Sequence, residues 1–144
     1  MTNAIYPGTF DPVHYGHIDI ATRAAEMFDH LTIAIYDRPL KHLLFATEER
    51  RRMIEVAVKG VPNIAVATYN QLTVEYAKAV GARVVVRGLR VISDFELEFQ
   101  MALTNKKLAP EIEFVCLMTS EEYAFLSAST VKEIAMLGGC VTGM

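Results

Sequence analysis

The residues from Tyr6 to His17 read Tyr-Pro-Gly-Thr-Phe-Asp-Pro-Val-His-Tyr-Gly-His and hold the densest chemistry of the chain. His14 and His17 stand three residues apart around Gly16, just before an apolar-periodic segment. A helix starting there carries partial positive charge and unpaired N–H groups in its first turn, which suits phosphate. Gly8 and Gly16 lack a Cβ and let backbone and ligand come close. A plain strand-to-helix turn with two surface histidines is the alternative. His14, Gly16 and His17 at this spacing favour the anion site. Zinc fits poorly, because the pair lacks a Cys or carboxylate partner at helical spacing. Neither a Gly-x-x-x-x-Gly-Lys loop nor a Gly-x-Gly-x-x-Gly run occurs, so the usual kinase, GTPase and dinucleotide signatures are missing.

Three further clusters bear on anions. In Arg87-Gly88-Leu89-Arg90, two arginines flank a glycine and can address phosphates bidentately. Lys41, after Pro39, is either a solvated loop lysine or an anion contact. In Ser127-Ala128-Ser129-Thr130-Val131-Lys132 the hydroxyls read first as helix caps, with Ser129 as the cap residue, and second as donors to a polyphosphate. By contrast, Arg50-Arg51-Arg52 reads as the solvated face of an amphipathic helix. Phe95, Phe99, Met101 and Met118 are expected in the core or lining a pocket. Cys116 is expected as an inert buried thiol and Cys140 near the surface. Two cysteines make neither a disulfide framework nor a metal site by themselves.

These residues must be positioned by regular elements. Apolar runs at 3–6, 31–36, 64–68, 83–87 and 112–118 are rich in Ile, Val and Phe and mostly lack alternation, as strands covered on both faces do. Helical patterns lie between them. Ile20, Ala24, Met27 and Phe28 share one stripe. Thr47 opens a second helix, with Glu48 and Glu49 in its first turn, and Val74–Val80 makes a third. Ser93-Asp94-Phe95-Glu96 matches a capping box, and a last helix runs to Leu137 before Gly138 and Gly139. Alternation of strand and helix predicts an α/β fold: a Rossmann-like, doubly wound, five-stranded parallel sheet with helices on both faces. Ligands of such sheets bind beyond the carboxyl ends of the strands, here loops 7–16, 37–46, 69–73, 88–93 and 119–129.

Composition narrows the function classes. The 144 residues suit a single domain, 1–144, and 52% apolar content supports a sizeable core. The net charge of −3 excludes a global basic field for nucleic acid. The longest uncharged run, Gly60 to Val74, is too short and too polar to span a bilayer. No signal peptide is visible, and a cytoplasmic protein is expected.

Together the clusters resemble the bacterial phosphopantetheine adenylyltransferases of the nucleotidylyltransferase superfamily. The resemblance rests on Tyr6-Pro-Gly-Thr-Phe-Asp-Pro, Gly16-His17-Ile-Asp-Ile, Phe28-Asp-His, Arg87-Gly-Leu-Arg90, Asp94-Phe-Glu and the segment Ser127 to Glu133. It implies transfer of the adenylyl group of ATP to 4′-phosphopantetheine, giving dephospho-coenzyme A and pyrophosphate, with Mg²⁺, by direct in-line attack on the α-phosphorus. It implies a catalytic set of His17, Lys41 and Arg90. Thr9, Lys41, Thr73 and Arg87 would hold the acceptor. Thr9, Phe10, His17, Gly88, Leu89, Arg90 and Glu98 would contact ATP, joined by the stretch Tyr123, Ala124, Phe125, Leu126, Ser127, Ala128 and Ser129. It implies a homohexamer without nucleic-acid or membrane partners. Departures from the family pattern are Ala128 in place of a common serine, Cys140 in place of a common aspartate, and an end at Met144 before a further family helix. An adenylyltransferase for another phosphate, such as nicotinamide mononucleotide, and a non-catalytic nucleotide or coenzyme A sensor stay open as alternatives.

Overall fold

Runs rich in Ile and Val form strands because β-branched side chains suit a pleated backbone packed on both faces. The computed structural model describes residues 1–39, 42–90 and 92–144, without the side chains of Ile92 and Ser93. Strands β1 (Asn3–Gly8), β2 (His30–Tyr36), β3 (Ile64–Tyr69), β4 (Val84–Leu89) and β5 (Glu113–Met118) alternate with helices. These are α1 (Tyr15–Met27), α2 (Thr47–Ala57), α3 (Thr73–Ala79), α4 (Ile92–Leu108) and α5 (Ala128–Met136). All strand pairings are parallel, in the order β3-β2-β1-β4-β5. This is the expected doubly wound sheet.

The chain leaves β1 toward β2 on one side and later returns to its other side as β4. The crevice at that reversal opens past the carboxyl ends of β1 and β4. Both strands run two residues beyond their expected ends. Ladder pairing explains this: Pro7 and Gly8 stay in register with Ala34 and Ile35, and Gly88 and Leu89 with Leu117 and Met118. Pairing with neighbours overrides the turn preference of Pro and Gly, and it carries Gly8 and Gly88 onto the rim of the crevice.

Successive side chains point to opposite faces. Leu31, Ile33 and Ile35 pack with Ile20, Ala21, Ala24, Ile54 and Val58 of α1 and α2 and the residue after it. Ile5, Ala34 and Val85 pack on the other face with Val74, Tyr76, Ala77, Ala109 and Ile112. The sheet is covered on both sides.

Helix α4 departs from expectation. It begins at Ile92, so Ser93 lies inside the first turn instead of capping it. Phe95, Phe99, Met101 and Leu103 are all more than half exposed, as is Met118 on β5. Cys116, on the same edge strand, is exposed rather than buried. The periodic pattern records where apolar groups sit on α4, but β5 is an edge strand and, among the described residues, this side is left exposed.

The second correction is Arg50. Arg51 and Arg52 lie at the surface, but Arg50 is fully buried. Its Nη1 donates to the carbonyl oxygens of Thr9 (2.8 Å) and Tyr36 (3.0 Å), and its Nη2 to Thr47 Oγ1 (3.0 Å). The Thr47 hydroxyl donates onward to Asp37. The carboxyl ends of β1 and β2 face this helix start and supply the two carbonyl acceptors, which charge-run reasoning does not see. Arg50→Met removes the charged donor that bonds the Thr9 and Tyr36 carbonyls, and each such bond is worth about 1.5–3 kcal/mol. We expect chemical denaturation to show a loss of at least ~2 kcal/mol.

Candidate active site

Loop 9–14 leaves β1 and turns into α1. Phe10 adopts φ 53°, a conformation rare outside glycine. Its ring is buried there, edge-on to Tyr6 at 5.4 Å and to His17 at 4.8 Å between centroids. On another side of His17, the His14 ring stacks at 3.7 Å and 22°. The His14 backbone N–H donates to His17 Nδ1 at 3.1 Å. Nδ1 is therefore an acceptor, and a neutral His17 carries its proton on Nε2. Burial, helped by the Arg90 charge, pushes the His14 pKa down to about 4. The stack thus joins a neutral His14 to His17 rather than two cations. The space above Gly16 is taken by His14, because a Cβ there would lie 2.9 Å from His14 Cε1. The glycine admits the His14 ring and also lines the larger of the two cavities described below.

The arginines are already engaged. Arg87 grips Glu98 through Nε (3.0 Å) and Nη2 (2.9 Å), and its Nη1 donates to the Pro7 carbonyl at 2.7 Å. Burial would lower the Arg87 pKa, but the bonds to Glu98 and its charge outweigh this and raise it. Arg90 donates to Asp94 at 3.0 Å and to the Leu126 carbonyl at 2.6 Å, which ties β4 to the segment before α5. Ser127, not Ser129, caps α5: its Oγ accepts from the Thr130 N–H at 3.1 Å. Ala128 and Ser129 are then the first two helical residues.

Two cavities meet at the sheet edge. The larger, about 410 Å³, is lined by Thr9, Phe10, His14, His17, Gly88, Arg90, Tyr123 and Ser127–Ser129, among others. The smaller, about 200 Å³, is lined by Tyr36, Tyr69, Thr73, Met101, Asn105 and Phe114, among others. Thr73 there shares a hydrogen bond of 2.9 Å with the Tyr69 hydroxyl. Pro7, Gly8, Thr9, Arg87 and Glu98 line both and form the partition. Of the residues singled out from sequence, Leu89, Ala124, Phe125 and Leu126 line neither cavity; Leu126 is fully buried and Phe125 exposed. Lys41 lies outside the described residues. Sequence reasoning missed Asp11 and Arg50 and gave Lys132 no role of its own. The run Asp-Pro at 11–12 and the Lys at 132 stood inside quoted motifs, but only contacts distant in sequence give them work.

Residues 5–134 match the family model described as cytidylyltransferase-like. A phosphopantetheine adenylyltransferase from Carboxydothermus hydrogenoformans is 55% identical over all of this chain and 89% of the relative. Another from Roseiflexus sp. is 53% identical over 99% of this chain and 89% of the relative. The chain belongs to the phosphopantetheine adenylyltransferase family. As a member it is an enzyme of the nucleotidyltransferase class. The fold is shared more widely. A bifunctional NMN adenylyltransferase/ADP ribose pyrophosphatase from Francisella tularensis superposes with TM-score 0.74 at 15% identity, over 99% of this chain and 44% of that one. A lipopolysaccharide core biosynthesis protein from Thermoplasma volcanium does so with TM-score 0.60 at 21% identity, over 83% and 97%. Among the described residues, no helix is long and apolar enough to cross a membrane.

His14 gives this family member a pH signature. Its pKa is lowered from 6.5 to about 4 on folding. Below pH 6.5 the unfolded chain binds a proton that the folded chain does not. Stability is therefore lost as pH falls from 6.5 toward 4, by about 1.4 kcal/mol per pH unit. Above pH 6.5 this group contributes no slope. Urea unfolding of wild type and His14→Gln across pH 4–8 measures the difference, and the extra slope should vanish in the variant.

Proposed function

We propose that the chain transfers the adenylyl group of ATP to 4′-phosphopantetheine, releasing dephospho-coenzyme A and pyrophosphate, in keeping with its relatives' names. The observation that supports this best is the pair of cavities sharing Thr9 and Arg87. Two anionic substrates can lie end to end there, with their reacting groups at the partition. An oxygen of the acceptor phosphate attacks the α-phosphorus. The bond from that phosphorus to the bridging oxygen of the β-phosphate breaks, and pyrophosphate leaves with the electron pair. The attacking phosphate is already an anion, so no enzyme nucleophile is needed.

His17 Nε2–H, on the larger cavity, would donate to the oxygen on which charge develops. Thr9 sits at the partition, suited to both substrates. Arg87 keeps one N–H on each Nη beyond its bonds to Glu98 and Pro7, counted among the described residues, and these would bind the acceptor phosphate. Lys41 joins it on the strength of the resemblance. Thr73 lies along the smaller cavity, suited to the pantetheine arm. Arg90, Gly88, Tyr123 and Ser127–Ser129 surround the larger one, suited to ATP. Leu89, Ala124, Phe125 and Leu126 would act from behind that wall.

Magnesium fits as a partner of the nucleotide. Among the described residues, no three His, Cys, Asp or Glu side chains converge on one point. An ion that keeps its waters and binds mainly to substrate phosphates needs no such cage. The chain works as one domain in the cytoplasm, where its nucleotide substrate is made. A homohexamer accounts for the uncovered apolar side of α4 and β5, and light scattering after size-exclusion chromatography tests it.

Pyrophosphate release from ATP with 4′-phosphopantetheine, and separately with nicotinamide mononucleotide, tests the activity and its acceptor. Release with the second acceptor alone moves the chain to another substrate. Binding of ATP without release in either mixture makes it a sensor. His17→Ala should lower kcat by about a hundredfold to a thousandfold while ATP binding changes little. A kcat within about threefold of wild type would remove His17 from the mechanism.

Titration calorimetry separates the arginines. Arg87→Ala should weaken the acceptor and Arg90→Ala should weaken ATP, each by at least about tenfold, as loss of a charge-assisted bond predicts. Equal weakening of both ligands by both variants contradicts the division.

A further inference from the structure

We propose that Asp11 and Lys132 form a positioning strut that sets the ATP-side helix α5 against the segment entering α2, and that catalysis depends on this setting. The inference rests on the reading of two substrates meeting at the partition. Asp11 is 2% exposed. Its Oδ2 accepts from the Leu44 N–H at 2.8 Å and its Oδ1 from the Phe45 N–H at 2.9 Å. Oδ2 also accepts from Lys132 Nζ at 3.1 Å. One carboxylate therefore joins three segments that are far apart in the chain: the loop after β1, the stretch before α2, and α5.

Burial alone would raise the Asp11 pKa, but the two amide bonds and Lys132 outweigh it and hold the carboxyl below its usual range. The anion is thus fully committed to these donors. Two residues earlier, the Thr9 carbonyl is fixed by buried Arg50. The loop that carries Asp11 is therefore anchored independently, and Asp11 can transmit a position rather than merely follow one. Both Asp11 and Lys132 line the larger cavity, beside Ser127, Ala128 and Ser129 at the start of α5. A buried ion pair is weak evidence for stability as such. A reaction between two bound substrates, in contrast, is sensitive to displacements of about 1 Å, which can cost about a hundredfold in rate.

The experiment uses the full chain with Lys132→Met, Lys132→Arg, Asp11→Asn and the double variant Asp11→Asn/Lys132→Met. Pyrophosphate release is measured as kcat and as KM for ATP and for 4′-phosphopantetheine. Lys132→Met should lower kcat at least about tenfold with both KM values within about threefold, and Lys132→Arg should recover most of it, since misplacement acts on the chemical step. The double variant should lose no more than the worse single variant, because the two residues act as one unit. Among the described residues Lys132 makes no hydrogen bond to Leu44 or Phe45 and is joined to them through Asp11, so amide exchange there reports the coupling. In Lys132→Met the Leu44 and Phe45 amides should exchange at least about tenfold faster while those of Ile35 and Val85 do not change. Unchanged exchange at Leu44 and Phe45 overturns the strut, as does an unchanged kcat or a double loss that multiplies the single ones. If wild type released no pyrophosphate, the proposed reaction would fall, and the exchange measurement would still decide the strut.

Discussion

The site hangs from a buried guanidinium. Arg50 has no access to water, its Nη protons find oxygen inside the protein, where the Thr9 and Tyr36 carbonyls converge on it, and its Nε–H has no partner among the described residues. The Thr9 carbonyl lies just past β1 and the Tyr36 carbonyl at the last residue of β2. Their convergence brings the first loop against the start of α2 and defines where the chain can turn after Gly8. The strained Phe10, the stacked imidazoles and the Asp11 carboxylate all follow within that loop.

A second constraint is charge. The crevice gathers Arg87, Arg90 and Lys132, and each is already answered by Glu98, Asp94 or Asp11. Without such partners a set of clustered cations at a half-buried edge would repel one another. With them, the arginines are held in place before any ligand arrives, and an entering anion meets oriented donors instead of mobile side chains. The neutral state of His14 serves the same end, since two stacked imidazolium ions would separate. His17 is then held by a ring on either side and by one backbone N–H, which leaves its orientation little freedom.

The same sheet leaves one side unfinished. β3 and β5 are both edges, but the exposed apolar side chains of α4 and β5 concentrate at the β5 end. That asymmetry separates two kinds of surface. The carboxyl edge of the sheet is polar and occupied by the crevice, and the apolar flank lies beside it on the helix that also supplies Glu98 and Asp94. A partner seated on α4 would therefore bear on the ion pairs that hold both arginines.

Much of the fold was legible in the order of residues. Unalternating Ile and Val runs between helical stripes determine a two-faced parallel sheet, because only burial on both sides rewards such strands. The rim residues were legible too, since His14, Gly16 and His17 stand at the entrance of α1 and Arg87 and Arg90 at the carboxyl end of β4. Strand ends were misjudged at Gly8 and Leu89, where pairing with neighbours outweighs local turn preference. Arg50 was misread because a run of three arginines looks solvated until the carbonyls that need one of them are placed beside it. The apolar face of α4 was read as core or pocket lining; Met101 lines the smaller cavity, but Phe95, Phe99 and Leu103 are more than half exposed, because periodicity reports amphipathicity and not what covers it. Likewise the pairing of Arg87 with Glu98, and of Asp11 with Leu44, Phe45 and Lys132, joins residues from 11 to 121 positions apart. Local sequence determines which groups are available at the crevice. Only the closed tertiary structure decides which of them spend their hydrogen bonds on one another and which face a ligand, because that depends on distances set by the whole sheet.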